Sequence, residues 1–453
     1  MKLHFVGIGG IGISALAQFC GDRGDEISGS EFDAKNPILS ILRAKNFKIF
    51  LTHEKKNVPE NCDAVIFSEA IDEKNPELIL AAEKKIPRFS YFEFLGKISE
   101  NFCTIAIAGT HGKTTTTALA AAGFLAAEFW PTIFVGAQIS EFSGQNFLAG
   151  KNNFLLLEAC EYRENFKFLS PEICVLTSID FDHPDSFSDE KKYFAAFSNF
   201  VKNTKFVIFH ETDENVKKIL KNFRGQKIAI SKKSSEKFTK ICGQKNRENA
   251  AAAFEISKIL KKNFQQKICE KKFISGIENW RGAARRQEFL TKKNGVKFFS
   301  DYGHHPAEIR ATIQFFREKF PQKKIGLIFE PHQFSRTKKF FREFLASFSA
   351  ADATGIFPIY AARDSKKDRE FRVEKFCEKN AKIQKIENFA DVKNFLKKNS
   401  PAILIFMGAG KIDFFAREFL QNEFWQFYFF ILILNFKKNN LKNEQKIFWC
   451  EKI

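Results

Sequence analysis

The chain has 453 residues, of which 44% are hydrophobic and 28% are charged, and its net charge is +19. This length is too great for one hydrophobic core and predicts about three domains, and the composition is that of a soluble globular protein. Lysine, phenylalanine, asparagine and isoleucine are all abundant, with 57 Phe against 6 Tyr and 2 Met, and the lysines are spread over the whole chain. We therefore interpret the charge as compositional bias and expect no nucleic-acid partner.

The nine cysteines are scattered, and none belongs to a Cys-x-x-Cys pair. This spacing argues against a structural zinc site and a disulfide framework, and it favours a reducing compartment. No secretory signal precedes the first apolar segment, LHFV. We expect a cytoplasmic protein without a stable membrane anchor, present as a monomer or a homodimer.

The first predicted domain, residues 1–100, begins with a strand, a glycine-rich turn and a helix in KLHFVGIGGIGISALAQF. Gly7, Gly9 and Gly12 have the G-x-G-x-x-G spacing of a nucleotide-binding turn. A second strand, DEISGSE, ends at Glu31, about where a ribose-binding carboxylate is expected. Taken alone, this glycine motif is weak and most simply indicates NAD.

The second predicted domain, residues 101–282, begins with IAIAGTHGKTTTT, an apolar strand that enters a glycine turn and then an alanine-rich helix. Backbone N–H groups of such a turn and of the helix N-terminus converge on a phosphate. Lys113 would reach the β- and γ-phosphates, and Thr114 would hold Mg²⁺ through its hydroxyl. The working glycines are Gly109 and Gly112, so the loop is a shortened variant of the standard P-loop.

Two predicted strands of this domain carry polar residues near their ends. FLLLEACEY (154–162) contains Glu158, and EICVLTSIDFDHPD (172–185) contains His183. Because the carboxyl ends of parallel strands form the ligand crevice, we expect both side chains beside Thr114, as ligands of Mg²⁺. Either residue could instead be an ordinary polar group at the sheet edge.

The third predicted domain, residues 283–423, places two polar loops, DYGHHP and PHQFSRT, directly after strands. Arg336 could clamp a carboxylate through two parallel hydrogen bonds. Tyr302, His304 and His305 lie in the first loop, where the histidines could bind a metal, position a substrate or cap a helix. Other elements expected in the second and third domains are helices over 190–203, 247–260, 307–319 and 335–349, and the strands KFVIFH, KKIGLIFEPH, TGIFPIY and AILIFMGAG.

This alternation predicts an α/β protein with three domains built on parallel, doubly wound sheets. The expected order is a Rossmann-like N-terminal domain, a central P-loop ATPase-type parallel sheet and a C-terminal Rossmann-like domain. An atypical hydrophobic and basic tail, 424–453, follows, and its apolar run FWQFYFFILILNF is too short to span a bilayer as a helix. A buried element, interfacial membrane contact and an aberrant extension are three open interpretations of the tail.

Two nucleotide-type glycine motifs in one chain favour an ATP-consuming enzyme whose second substrate also carries a diphosphate. An NAD-dependent oxidoreductase that uses Gly7–Gly12 is the alternative from another class. It fits less well, because a dehydrogenase has no use for a separate ATP-binding loop.

Six motifs in a fixed order, GTHGKTTTT, EACEY, DFDHPD, DYGHHP, PHQFSRT and IYAARDS, extend across the chain. From residue 1 to about 420 the sequence resembles the Mur ligase family of bacterial peptidoglycan synthesis. The resemblance implies that ATP phosphorylates the lactyl carboxylate of UDP-N-acetylmuramate. The amine of L-alanine then attacks the acyl phosphate, which yields an amide, ADP and phosphate.

The resemblance also implies residue roles. Lys113, Glu158 and His183 would be catalytic, and Thr114, Glu158 and His183 would hold the metal. The remaining implied contacts are with ATP (Gly109, Thr110, His111, Gly112, Lys113, Thr114, Thr115, Asn246, Asn249, Arg286), with the UDP-sugar (Gly7, Gly9, Gly10, Ile11, Gly12, Ser30, Ser68) and with the amino acid (Tyr302, His304, His305, Arg336).

The chain departs from the family pattern in three places, one of which is the hydrophobic tail after residue 420. Gly243-Gln244-Lys245-Asn246 stands where Gly-x-His-Asn is usual, which affects the expected adenine contacts. The stretch between His183 and Asn246 is also shorter by some tens of residues. A sibling ligase that joins a preassembled peptide to the same sugar, and a degenerate nucleotide-binding remnant, are therefore kept as alternatives.

Overall fold

A computed structural model describes residues 1–422 except 363, 365–368 and 370. The tail at 424–453, and Arg363 and Ser365 of the IYAARDS motif, lie outside the described residues. The chain divides into two compact units, the first covering Met1–Arg286 and the second beginning at Gln287. Two sheets lie in the first unit and one in the second. Because the first two sheets share a unit, the domain boundaries at 100 and 282 stay predictions.

The first sheet has five described strands, all parallel, in the order β3-β2-β1-β4-β5. Strands β2 and β4 lie on opposite sides of β1, so the carboxyl end of β1 is a topological switch point, where ligands bind in open α/β sheets. The glycine turn follows β1 at this point. The elements are β1 (Lys2–Val6), α1 (Ile11–Asp22), β2 (Glu26–Ser30), α2 (Ile38–Ala44), β3 (Lys48–Phe50), β4 (Ala64–Phe67), α3 (Pro76–Glu83), β5 (Arg88–Ser90) and α4 (Tyr91–Ser99).

The second sheet has seven described strands in the order β12-β11-β10-β6-β9-β7-β8. Small alanine side chains let two long helices, α5 and α9, bury against this sheet and each other. The elements are β6 (Cys103–Ala108), α5 (Lys113–Ala126), β7 (Thr132–Ile139), β8 (Gln145–Leu148), β9 (Phe154–Glu158), β10 (Ile173–Leu176), α6 (Glu190–Val201), β11 (Phe206–His210), α7 (Glu214–Ile219), β12 (Gln226–Ile230), α8 (Lys232–Ser235), α9 (Gln244–Asn263) and α10 (Glu270–Glu278).

The third sheet has six described strands in the order β13-β14-β18-β15-β16-β17. Phenylalanine dominates its core, where the rings of Phe344, Phe348 and Phe376 meet. Residues 412–422 are helical. The other elements are β13 (Glu288–Lys293), β14 (Val296–Asp301), α11 (Pro306–Lys319), β15 (Ile325–Phe329), α12 (Phe334–Lys339), α13 (Phe341–Phe348), β16 (Ala353–Ile356), α14 (Glu374–Lys379), β17 (Ile383–Lys385), α15 (Phe389–Asn399) and β18 (Ile403–Met407).

The three-domain α/β prediction is confirmed by the three sheets, but the sheets are not parallel throughout. Strand β8 pairs antiparallel with β7, and β13 pairs antiparallel with β14. The second pair is a hairpin closed by Asn294-Gly295, and both turn residues have positive φ. Asn-Gly is the preferred pair for such a two-residue turn.

Several expected elements differ in extent, and three of these contain candidate site residues. The strand expected over 154–162 ends at Glu158, and a 3-10 turn over Tyr162–Phe168 follows. The strand expected over 172–185 ends at Leu176. The helix expected over 335–349 is two helices, because the backbone of Phe340 leaves the helical region. Across the part of the chain that the structure describes, none of the helices has the length and apolar character needed to cross a bilayer.

Candidate active site

The phosphate loop, residues 109–112, joins β6 to α5. Gly109 (φ +131°) and Gly112 (φ +89°) occupy left-handed backbone conformations, which glycine adopts without strain. A β-carbon at Gly112 would also stand 2.9 Å from Oδ1 of Asn249. The first turn of α5 leaves backbone N–H groups without intrahelical partners, so the loop and the helix N-terminus suit a phosphate.

The segment after β10 fixes the shape of this loop. Ser178 O accepts a hydrogen bond from Thr110 N at 2.7 Å, and Thr177 Oγ1 donates to His111 O at 2.5 Å. Thr110 Oγ1 contacts Asp180 O at 2.8 Å. These bonds explain why the predicted strand stops at Leu176, because its continuation turns aside to hold the loop.

The Lys113 ammonium binds groups of its own chain. Nζ donates to Gly109 O and lies 2.8 Å from Oε2 of Glu161. Glu161 is almost fully buried. Burial acts to raise the pKa of its carboxyl, but the charges and hydrogen bonds of Lys113 and His183 outweigh burial and hold that pKa at about 2. An ionised carboxylate therefore lies beside the lysine that we expect to bind phosphate.

His183 lies on the other side of Glu161. Its Nε2 is 3.2 Å from Glu161 Oε1, and its ring makes an edge contact with Tyr162. The residue has φ +55°, and its backbone N–H donates to Asp182 Oδ1 at 2.7 Å. In the described structure the buried Nδ1 of His183 makes no hydrogen bond. His183 is thus directed at the loop by a turn seven residues beyond β10, and not by the strand end expected from the sequence.

Glu158 ends β9 and contacts the start of α5. Its Oε2 accepts from Thr114 Oγ1 at 2.9 Å, and its Oε1 accepts from Gly136 N at 2.5 Å. Burial raises the pKa of this carboxyl, although the two hydrogen bonds and the charges of Arg286 and Lys113 oppose the change. Arg286 Nη2 approaches Thr114 Oγ1 at 3.4 Å.

These donors fit Mg²⁺, which prefers oxygen ligands and keeps several waters and substrate phosphates in its shell. Thr114 and Glu158 supply two adjacent oxygens, and Glu161 with His183 supplies a second pair of donors. Among the described residues there is no group of three or more His, Cys, Asp or Glu that could hold a metal alone. A metal here would therefore depend on phosphate oxygens and water for the rest of its shell.

The glycine turn of the first sheet is tied to the end of β2. Gly7 N and Ile8 N donate to Ser30 O at 2.9 and 3.0 Å. Gly9 N donates to Glu31 Oε2 at 3.1 Å, so this carboxylate lies at the turn as the spacing suggested. Ser30 Oγ donates to Glu77 at 2.6 Å. The turn and the β2 end therefore form one hydrogen-bonded edge.

A cavity of about 300 Å³ in the first unit borders both the end of the glycine turn and the end of β9. Its lining includes Gly10, Gly12 and Ser68 from the first sheet's domain, and Gly136 and Glu158 from the second sheet. The cavity thus connects the predicted UDP-sugar residues with a predicted metal ligand.

The four residues expected to bind an amino acid lie at the carboxyl edge of the third sheet, in the second unit. The rings of His304 and His332 are 5.6 Å apart, and Arg336 Nη1 lies 3.1 Å from His332 Nδ1. Tyr302 makes an edge contact with His304. His305 caps α11, since its Nδ1 accepts from the Ala307 backbone N–H, so one of the two histidines has the capping role.

Family models match three consecutive parts of the chain. They are described as "Mur ligase family, catalytic domain" for residues 2–103, "Mur ligase middle domain" for 107–275 and "Mur ligase, glutamate ligase domain" for 285–410. A UDP-N-acetylmuramate–L-alanine ligase of Clostridium acetobutylicum is 34% identical, with 93% of this chain and 97% of the relative covered. The chain belongs to the Mur ligase family.

A second relative of the same name, from Agathobacter rectalis, is 33% identical over 93% of this Mur ligase and 98% of its own length. Solved structures share the fold. The UDP-N-acetylmuramate-alanine ligase of Thermotoga maritima has a TM-score of 0.74 at 24% identity and covers 94% of this chain and all of its own. A murein peptide ligase from Psychrobacter arcticus has a TM-score of 0.69 at 18% identity, with 93% and 98% covered. Family membership makes the protein an ATP-dependent ligase.

The two asparagines expected near ATP differ in their surroundings in this Mur ligase. Asn249 lies against Gly112, whereas Asn246, one turn earlier on α9, donates to Cys242 O at 3.2 Å. Lys245, which departs from the family pattern, is exposed and pairs with Glu248 at 2.9 Å. The structure therefore brings Asn249 to the phosphate loop and gives Asn246 a contact within its own turn.

Three residues of this Mur ligase contribute to the geometry although sequence reasoning did not single them out. Glu161 links Lys113 to His183, and it lies in EACEY, three positions after Glu158. His332 contacts Arg336 from the start of the PHQFSRT loop. Tyr91 lines the cavity from the first turn of α4, a helix that the sequence reading did not assign. Glu161 and His332 could have been found from the sequence, because each is a second polar residue within a motif that already supplied a candidate, EACEY for Glu161 and PHQFSRT for His332.

Proposed function

We propose that this Mur ligase joins L-alanine to the lactyl carboxylate of UDP-N-acetylmuramate and converts ATP to ADP and phosphate. The observation that carries the proposal is the cavity between the glycine turn and Glu158. A sugar nucleotide whose diphosphate binds the turn would extend through this cavity toward the phosphate loop. The activity named for relatives that match over more than nine-tenths of both chains supports the same substrates.

The first step needs the γ-phosphate of ATP held and neutralised. A lactyl carboxylate oxygen would attack the γ-phosphorus while the bond to ADP breaks, which gives an acyl phosphate. Lys113 would exchange Glu161 for the phosphate oxygens, because both are anionic partners of one ammonium. Thr114, Glu158 and His183 would hold Mg²⁺, which when bound neutralises phosphate charge. Positioning and charge neutralisation carry most of the catalysis in such transfers.

The nucleotide itself would rest on the remaining loop residues. Gly109 through Thr115, including Thr110, His111 and Gly112, would surround the phosphates through backbone N–H groups. Asn249 and Arg286 already contact this loop and Thr114. Asn246 would need to exchange its bond to Cys242 for a contact with ATP.

The sugar nucleotide would bind at the edge of the first sheet. The residues of that edge are Gly7, Gly9, Gly10, Ile11, Gly12, Ser30 and Ser68. The N-terminus of α1 and the glycine turn offer backbone donors for a diphosphate. Glu31 holds the Gly9 N–H, so a bound diphosphate would displace that contact.

The amino acid would bind in the second unit. Arg336 carries a planar guanidinium suited to a carboxylate, and Tyr302 and His304 lie in the neighbouring loop. His305 would hold that loop by capping α11. The alanine amine would then attack the acyl carbon, and phosphate would leave as the amine loses a proton. The cytoplasm, where ATP and such precursors are found together, is the compartment we propose.

The experiment that tests this function is ADP release by the full chain. We expect release that needs both UDP-N-acetylmuramate and L-alanine, and that is lost in Lys113→Ala. Parallel assays with glycine, serine and a preassembled tripeptide distinguish the sibling peptide ligase, which would use the tripeptide and not alanine. ADP release indifferent to the sugar nucleotide would contradict the proposal, and no turnover with any acceptor would indicate a degenerate remnant.

A further inference from the structure

Tyr91 is placed at the cavity by a rigid helix start. It is the first residue of α4, and Ser90 immediately before it forms a capping box with Glu93. Ser90 N donates to Glu93 Oε2 at 2.7 Å, and Ser90 Oγ accepts from Glu93 N at 3.3 Å. Such reciprocal caps fix the entry of the chain into a helix. The backbone position from which the Tyr91 side chain extends is therefore fixed by local hydrogen bonds.

The Tyr91 ring lies directly against the third glycine of the G-x-G-x-x-G motif. A β-carbon at Gly12 would stand 2.9 Å from Cζ and 3.1 Å from the hydroxyl oxygen of Tyr91. In this chain Gly12 is thus required by the approach of a tyrosine ring. The phenol consequently borders the turn at which we place the diphosphate.

The hydroxyl of Tyr91 is available to a ligand. Within the described residues it makes no hydrogen bond, although Tyr91 lines the cavity together with Gly12 and Glu158. Burial raises the pKa of this phenol. The hydroxyl therefore keeps its proton at neutral pH and is a hydrogen-bond donor. A phenol in an apolar wall usually has a partner, and here the ligand can supply it.

We propose that Tyr91 binds the sugar portion of the substrate by donating a hydrogen bond from its hydroxyl to a sugar or amide oxygen. The inference rests on the proposed function. A diphosphate at Gly12 and a carboxylate near Glu158 leave the acetylated sugar ring between them, in the part of the cavity that Tyr91 borders. The walls beside it are apolar, from Ile13 and Phe134, so one well-placed donor would orient the ring.

The test compares two variants that each lose a single phenolic oxygen. Tyr91→Phe should raise the KM for UDP-N-acetylmuramate about three- to tenfold, which is the loss of one neutral hydrogen bond. It should leave the KM for ATP within about twofold. Tyr193→Phe is the matched control, because the Tyr193 hydroxyl bonds Thr110 Oγ1 of the phosphate loop at 2.9 Å. That variant should raise the KM for ATP and not that for the sugar nucleotide.

Equilibrium binding separates the sugar contact from the nucleotide contact. Calorimetry without ATP should show that Tyr91→Phe weakens the binding of UDP-N-acetylmuramate by the same factor of about three to ten and leaves the affinity for UDP unchanged. If the affinities for UDP-N-acetylmuramate and for UDP fall equally, or if neither changes, Tyr91 does not bind the sugar. The two proposals can fail separately. If the wild-type protein binds UDP-N-acetylmuramate but releases no ADP in response to it, the proposed function is wrong. The comparison of binding affinities between wild type and Tyr91→Phe would still test the role of Tyr91.

Discussion

The ammonium of Lys113 lies 2.8 Å from one oxygen of Glu161, and the other oxygen of that carboxylate lies 3.2 Å from Nε2 of His183. All three side chains have little contact with solvent. The residue proposed to bind the γ-phosphate is therefore already neutralised by its own chain. Nucleotide binding becomes an exchange of one anion for another at Lys113.

Replacing Glu161 with glutamine should destabilise the ligand-free protein by about 3 kcal/mol at pH 6, because it leaves a buried ammonium without its counter-charge. The Glu161 carboxyl has a pKa of about 2 in the fold against an ordinary value of 4.5. Its contribution is thus fully present above pH 4.5 and is lost as pH falls toward 2. Urea unfolding from pH 6 to 3 should show the difference between wild type and variant shrinking. A difference that does not change with pH would contradict this account.

Replacing Glu158 with glutamine should remove most of the stabilisation that Mg²⁺ adds in the presence of ADP. Burial raises the pKa of this carboxyl, because the nearby hydrogen bonds and positive charges do not fully offset the cost of burying its ionised form. A bound cation would stabilise that ionised form. A ligand at a hundred times its Kd stabilises a fold by about 2.7 kcal/mol. Thermal unfolding with ADP, with and without Mg²⁺, measures the increment. Samples with EDTA provide the baseline without metal. If Mg²⁺ raises the unfolding temperature of the variant as much as that of the wild type, the metal does not bind at Glu158.

Replacing Gly12 with alanine tests the contact with Tyr91. Gly12 lies in α1, where alanine is the better helix former by about 1 kcal/mol, so the backbone itself should tolerate the change. The new methyl group would displace the Tyr91 ring and raise the KM for the sugar nucleotide. In a Tyr91→Ala background the same substitution should have little further effect. Additive losses in this double-mutant cycle would show that the two residues act separately.

Replacing Arg336 with lysine should raise the KM for L-alanine about tenfold or more and leave the KM for ATP unchanged. Arg336 is 1% exposed, and its guanidinium is held by His332. Lysine keeps the charge but loses the planar fork that binds a carboxylate at two points. Steady-state kinetics with each substrate varied in turn measures the effect. Equal rises for alanine and ATP would indicate general damage to the second unit.

The sequence was sufficient to predict the local structure where a strand, a glycine turn and a helix follow each other directly. Both glycine motifs lie between the predicted strand and helix, since backbone conformation there is set locally. Local pattern could not show that residues 177–180 leave the sheet to bind the phosphate loop, because those bonds join distant segments. Tyr91 was missed for the same reason, since only the folded chain brings it to Gly12. The Asn294-Gly295 pair predicts an antiparallel hairpin, but we did not predict one because the alternation of strands and helices favoured parallel sheets throughout.

The edges of the three described sheets give the abundant basic residues a physical role. Edge strands β3, β12, β13 and β17 carry lysine, and β5 carries Arg88. Unpaired strand edges are templates for hydrogen-bonded pairing with a strand of another molecule, and a charged side chain there disfavours this edge-to-edge pairing. Among these six edges only β8, four residues long, lacks a basic residue. The same composition that enriches the chain in phenylalanine and isoleucine thus also supplies charges that oppose aggregation. Neutral replacements at these edge positions would lower solubility before they affected catalysis.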